Sequence, residues 1–294
     1  MLQNRITVEE TIQSARPSED AAKARARALI VPREHGAWGL LIIPLFTGIA
    51  AGSGSAQQIA PQLLFVAVAF ALFWLRTPIE SLLGSGPMTA RTPRERTTAL
   101  IASGLLALAA ASSLTVLMWR GRNQDLLWIG VVAALALVVQ MALRKLNRKL
   151  RMLSQLVGAA ALTATAPAAY YLGTRRLDSR AFILWLANWL FAWNQIHFVQ
   201  LRIHAARAGS FREKLLRGRF FLLALIVLLA ALALITAQQL ASPLILFAFT
   251  PILIRGTRWF FAPYQPLDVK KLGWSEMKQG AAFGLLLAIA FLVR

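Results

Sequence analysis

The chain is built from apolar runs close to twenty residues long, separated by short basic connections. At ~1.5 Å rise per residue, a helical run of about twenty residues covers the ~30 Å of hydrocarbon in a bilayer. In lipid the backbone must satisfy its own hydrogen bonds, so such runs fold as helices and not as open sheets. Hydrophobic residues make up 57% of the 294 residues and charged residues only 15%. A soluble domain carries about a quarter charged residues. The sequence therefore predicts an all-α, polytopic membrane protein.

Nine spans are expected: Gly36–Ala51, Ile59–Leu75, Thr97–Trp119, Leu126–Leu143, Met152–Leu172, Arg180–Leu201, Phe220–Ala237, Ala241–Ile254 and Gly280–Val293. The eighth is short and includes Ser242-Pro243 near its start, which predicts a tilted or broken crossing. Pro167 is expected to kink the end of the fifth, because proline removes a backbone donor. Residues 1–30 read as a polar cytoplasmic tail and residues 31–294 as the transmembrane domain. Within the tail, Ala21–Val31 suits either a basic interfacial helix, with Lys23, Arg25 and Arg27 at the headgroups, or a frayed end. Glu9, Glu10, Glu19 and Asp20 precede the first apolar run, a pattern unlike a cleavable signal.

Charge sets the expected orientation. With the N-terminus cytoplasmic, only Arg120, Arg122, Arg175, Arg176, Arg180 and Arg294 fall outside, and every other one of the 32 Lys and Arg falls inside. That is the positive-inside pattern of a multi-pass protein of the inner, cytoplasmic membrane. The formal net charge is +20, but the positive residues flank apolar spans, where they meet anionic lipid. No nucleic-acid-binding module is recognisable. The expected partner is membrane lipid, in particular an anionic lipid or an isoprenoid, and not nucleic acid. Cysteine is absent, which excludes disulfides, thiolate metal sites and cysteine nucleophiles.

Three polar segments lie on the expected cytoplasmic side. The first is Pro32-Arg33-Glu34-His35-Gly36-Ala37-Trp38-Gly39, leading into the first span. Arg33 and His35 are suited to hold an anionic headgroup while Glu34 orients His35. The same residues also suit an interfacial anchor, with Arg33 snorkelling, Glu34 capping and Trp38 in the aromatic belt. The second runs from Trp193 to His204. Helical spacing puts Asn194, His197, Leu201 and His204 along one stripe. Polar groups so dense at a span end face protein or a water-filled cavity, or simply meet water where the helix ends. Seven residues separate His197 from His204, so ~10 Å of axial rise keeps them from sharing one metal ion. The third holds Arg144, Lys145 and Arg148 and runs to Arg151. It is either a basic lip that grips phosphate or the stop-transfer charge of an ordinary inner loop. The ligand-binding candidates are thus Arg33, Glu34, His35, Arg144, Lys145, Arg148, Asn194, His197, Arg202 and His204. The sequence names no catalytic residue, and no metal site or cofactor is expected. Arg33, Glu34 and His35 are expected to meet Asn194, His197 and Arg202 at the inner ends of the first and sixth spans.

The run Pro32–Gly39, followed by an apolar span, resembles the start of the YwiC-like family of bacterial membrane proteins, which implies no settled activity. A remoter likeness adds an architecture. The chain is similar to a degenerate member of the UbiA family of intramembrane prenyltransferases, which have nine helices and an inside N-terminus. The stretch Leu143–Gly158 resembles their basic loop leading into helix five, and Trp193–Gly209 lies where their second Asp-rich motif lies. The resemblance implies a UbiA-like bundle. It does not carry the activity over, because those motifs hold Mg²⁺ on an isoprenoid diphosphate through several aspartates. Here the matching stretch offers Asn194, Gln195, Gln200, Arg202 and His204 and no carboxylate. A non-catalytic, lipid-binding bundle is expected, with a divergent prenyltransferase as the alternative. A transporter is a weaker alternative, since nine spans do not divide into two equal repeats.

Overall fold

Backbone groups that cannot reach water pair within helices, and the described chain is helical, with no strand among the described residues. The structure, a computed structural model, describes residues 19–32, 35–53, 59–86, 88–121, 124–147, 150–264 and 266–293. The helices are α1 (Glu19–Ile30), α2 (His35–Gly52), α3 (Ile59–Leu82), α4 (Pro93–Gly121), α5 (Gln124–Leu146) and α6 (Arg151–Thr163). They continue with α7 (Thr165–Thr174), α8 (Ser179–His204), α9 (Phe211–Ala237), α10 (Ile245–Phe261) and α11 (Val269–Leu292). Each expected span coincides with a helix, the fifth with α6 and α7 together. Six segments are long and apolar enough to cross a membrane: α3, α4, α5, α6 with α7, α9 and α11, while α2 is a shorter apolar helix.

Several boundaries differ from expectation. α10 runs on to Phe261, where Ile254 was expected to end it, and α11 starts at Val269 where Gly280 was expected. α9 begins at Phe211 and not Phe220, and α3 continues to Leu82. In each case charged residues inside the helix had the look of loop charge. Near Pro167, where a kink is expected, the helix is interrupted at Ala164. The carbonyl of Thr163, four residues back, has no proline N–H to accept, and α6 gives way to α7 at Ala164. The Thr165 hydroxyl donates to Leu162 O at 2.8 Å beside the break.

The chain forms two compact units. One comprises the described residues of Met1–Arg33 and Ala67–Leu114. In it, Arg25 Nε donates to Glu95 Oε1 at 2.5 Å. That hydrogen bond raises the Arg25 pKa further above neutrality. The indole of Trp74 donates to Ile30 O at 2.9 Å, tying the end of α1 to α3. Glu95 and Thr92 form a reciprocal cap at the start of α4: each backbone N–H donates to the other's side chain at 3.2 Å. Residues 19–30 are therefore a helix tied to α3 and α4.

The other unit comprises Glu34–Val66 and Thr115–Arg294. Lipid tails are as apolar as leucine, so close backbone approach, and not water exclusion, holds such helices together. α2 packs most extensively on α7 and α11. A Cβ on Gly48 would stand 2.3 Å from Ala166 O, and one on Gly173 would stand 2.1 Å from Gly52 O. Ile43 of α2 fills the space over Gly280 and Gly284 of α11. A core of buried side chains from α7 to α11 is centred on Phe249 and Phe283, with Phe283 stacked on Phe191 at 4.0 Å.

Candidate functional site

α8 runs through the middle of the second unit and carries two of its buried polar residues, Asn188 and Asn194. At 26 residues it is long enough to cross hydrocarbon. Asn188, Gln195, Gln200, Trp185 and Trp189 hydrogen-bond to neighbouring helices. Toward its N-terminal half, Asn188 is 1% exposed and fully partnered. Its Nδ2 donates to Thr47 Oγ1 at 3.0 Å and to Leu184 O at 2.9 Å.

From that point to the C-terminus of α8 the polar residues divide onto two faces. One faces α6. Trp185 donates to Ala160 O and Trp189 to Leu156 O, both at 3.1 Å. Trp189, Trp193 and His197 continue the ladder at centroid distances of 5.5 and 5.6 Å. The spacing is four residues, one helical turn, so each ring stands over the next. His197 Nδ1 lies 2.9 Å from Trp193 O and His204 Nδ1 lies 2.8 Å from Gln200 O. A carbonyl only accepts, so in each ring Nδ1 carries the proton and Nε2 points away from its own helix. Gln200 reaches Gln155 of α6 at 3.4 Å.

The second face carries Phe191, Asn194, Gln195 and Phe198, at the i, i+3, i+4, i+7 spacing of one helix stripe. It meets α10 and α11. Gln195 donates to Glu276 O at 3.0 Å. Arg255 Nη1 hydrogen-bonds and ion-pairs with Glu276 Oε1, and its guanidinium lies 4.0 Å from the Phe198 ring centroid. The two side chains are only 10% and 11% exposed. Six residues separate Arg255 from the end of α10 and seven separate Glu276 from the start of α11, so the pair sits ~10 Å inside the helices. Arg255 Nε and Nη2 and Glu276 Oε2 are buried with no protein partner, as are both amide atoms of Asn194 on α8.

At the His204 end, α9 starts and α10 stops. Lys214, 3% exposed, donates from Nζ to Trp259 O at 3.1 Å and to Ala262 O at 2.5 Å. It thereby satisfies a carbonyl of the last turn of α10 and lies 5.1 Å from the Trp259 ring centroid. Lys214 also lines a cavity of about 330 Å³ with Phe211, Phe260, Phe261 and Pro263. A smaller adjoining pocket has Arg202, Lys214, Trp259 and Pro263 in its wall.

These positions rearrange the sequence-derived set. Asn194 and His197 share α8 but sit on different faces, Asn194 on the stripe of Phe191, Gln195 and Phe198, His197 on the tryptophan ladder. Arg202 lines the pocket with Lys214, and His204 is exposed. Arg144 and Lys145 are exposed in the last turn of α5, where their charge favours the helix C-terminus. Arg33, Glu34 and Arg148 lie outside the described residues, and of His35 only the backbone is described. α2 runs antiparallel to α8. Counting twelve residues back from Thr47 and forward from Asn188 puts the His35 backbone level with Gln200. Lys214, Arg255 and Glu276 were missed. In sequence a charge inside a helix looks like a helix end, and the signal for Arg255 and Glu276 is a lone Arg and a lone Glu on facing helices within one to two turns of apolar stretches.

At the opposite end the arginines close off backbone groups. Arg180 donates to Phe291 O at 2.8 Å and Arg175 to Gly121 O at 3.2 Å.

Residues 31–170 match the sequence model of the family described as YwiC-like protein. The matched stretch includes the Pro32–Gly39 run and ends within α7, before α8, Lys214, Arg255 and Glu276. No curated protein and no solved structure matches the chain.

Proposed function

We propose that this multi-pass membrane protein binds the anionic headgroup of a lipid or isoprenoid at its His204 end, without a metal ion. The observation that carries the reading is the cavity at that end. Its walls are aromatic: Phe211 and Phe261 stack at 5.3 Å, and both are exposed at the rim. Its polar floor is Lys214, and Arg202 lines the pocket adjoining it. An ammonium has three donors, and two of Lys214's are taken by Trp259 and Ala262. The third, with the Arg202 guanidinium, suits phosphate oxygens. An apolar rim beside cationic groups is the chemistry of an amphiphile's neck.

The membrane is the inner, cytoplasmic one and the His204 end faces the cytoplasm, with α1 against the headgroups. In support, the second unit's His204 end collects Arg144, Lys145, Arg151, Arg202, Arg207, Arg212, Lys214 and Lys270, while Arg175, Arg176 and Arg180 stand at the opposite end. A UbiA-like arrangement enters as architecture only. Coincidence of the expected spans with helices supports it, and no three His, Asp or Glu side chains converge among the described residues.

The test is a thermal-shift screen of the purified protein against phosphatidylglycerol, phosphatidylcholine and farnesyl diphosphate, with and without chelator. Stabilisation by the anionic amphiphiles, insensitive to chelator and weakened in Arg202→Gln, is expected. Equal stabilisation by phosphatidylcholine would count against the reading.

A further inference from the structure

α10 is followed by Ala262-Pro263. In a continuing helix the carbonyl of Trp259 would accept from the N–H of residue 263, and proline has none. Ala262 stands in extended backbone, φ −66° and ψ 148°, the conformation favoured before proline. Its carbonyl therefore leaves the direction of the helix. Both carbonyls converge on one point, the Lys214 ammonium, at 3.1 and 2.5 Å. The Trp259 ring centroid lies 5.1 Å from the same nitrogen. Two carbonyl oxygens, an aromatic face and the negative end of a helix dipole are the parts of a site for an ammonium. Lys214 fills that site from within the chain. Every other side chain lining the 330 Å³ cavity is apolar or glycine, and the adjoining pocket adds only Arg202 as a further charge.

We propose that Lys214 is the specificity-determining residue of the cavity: by occupying the Trp259 and Ala262 carbonyls it bars headgroups that carry a primary ammonium and leaves one N–H for an anion. This selectivity rests on the headgroup binding proposed above and names which headgroups are refused. A primary ammonium entering the cavity would bring three N–H donors out of water. Its natural acceptors are already taken, and Lys214 and Arg202 would repel it. Burial without those hydrogen bonds is costly. A quaternary ammonium has no N–H to satisfy and lies well on aromatic faces such as those of Phe211 and Phe261, stacked at 5.3 Å. The cavity therefore separates phosphatidylcholine from phosphatidylethanolamine, two lipids of equal net charge, through hydrogen bonding. An anionic headgroup is preferred to both. Because Lys214 is part of the cavity wall, truncating it opens the two carbonyls to the cavity and reverses the refusal.

The experiment has two arms. In the first, thermal unfolding of the unaltered protein and of Lys214→Ala is followed in ethylammonium, tetramethylammonium or sodium chloride at equal ionic strength. Ethylammonium is expected to raise the midpoint of Lys214→Ala by about 2 °C or more over sodium and to leave the unaltered protein unchanged. Tetramethylammonium, which cannot donate to a carbonyl, should match sodium. In the second, native mass spectrometry follows lipid retention from nanodiscs of equal phosphatidylcholine and phosphatidylethanolamine. The unaltered protein should retain phosphatidylcholine at least about threefold over phosphatidylethanolamine, and Lys214→Ala should reverse the order. No stabilisation of folded Lys214→Ala by ethylammonium, or equal stabilisation by tetramethylammonium, would overturn the proposal. Equal retention of the two lipids by an unaltered protein that does prefer phosphatidylglycerol would also overturn it, and this arm decides if Lys214→Ala does not fold. Loss of the phosphatidylglycerol preference with the ethylammonium effect intact would support the carbonyl site and contradict the headgroup reading alone.

Discussion

Asn188 donates to Thr47 Oγ1 at 3.0 Å, joining α8 to α2 across 141 residues of sequence. Six residues further along α8, Asn194 is equally buried, and neither atom of its amide has a partner. The two asparagines are therefore expected to respond oppositely to the same change. Asn188→Leu strands the interhelical bond and should cost about 1–3 kcal/mol. Asn194→Leu removes two unsatisfied atoms and should leave the ligand-free protein as stable or more so. Thermal unfolding of both variants in detergent measures this. A loss at position 194 as large as that at 188 would show that Asn194 is satisfied within the protein.

Close backbone contact gives a second expectation. Gly48→Ala places a methyl against Ala166 O, with no flexible side chain to give way, and overpacking of this kind costs about 1–3 kcal/mol. Gly104→Ala and Gly130→Ala meet nothing within 4 Å and, being in helices, should be neutral or stabilising. Comparable losses at all three positions would contradict the α2–α7 packing.

Orientation is testable because the chain lacks cysteine. Single cysteines at Lys145, Arg212 and Lys270 should react with a membrane-impermeant maleimide only after cells are opened, and one at Arg176 should react in intact cells. Labelling at Lys145 from outside would reverse the assigned orientation.

Much of the helix layout was legible because apolar length is a local property: a run of the right length folds as a helix wherever it packs. Pro167 was legible for the same reason, since a missing N–H acts on the residue four positions back. The buried ion pair was not. Arg255 and Glu276 are 21 residues apart, and nothing local distinguishes an arginine that turns inward from one that ends a span. The likeness of Asn194 to His197 also misled. Both lie within one broad stripe, but 60° of rotation is enough to aim one at α10 and α11 and the other at the tryptophan ladder.

Chemistry yields another expectation. In prenyltransferases of the UbiA family a departing diphosphate builds charge that metal held by carboxylates stabilises, and residues Asn194–His204 of this chain supply no carboxylate. Binding alone does not lower a barrier. Incubation with prenyl diphosphates, aromatic acceptors and Mg²⁺ should yield no multiple-turnover product. Product that disappears with chelator would establish a transferase.

The most direct measurement of headgroup binding is native mass spectrometry of the protein released from mixed phosphatidylglycerol and phosphatidylcholine nanodiscs. Retained phosphatidylglycerol, reduced several-fold in Arg202→Gln and unaffected by Arg176→Gln at the opposite end, is the predicted result. Lipid adducts that follow the composition of the nanodisc, with no difference between the two variants, would contradict it.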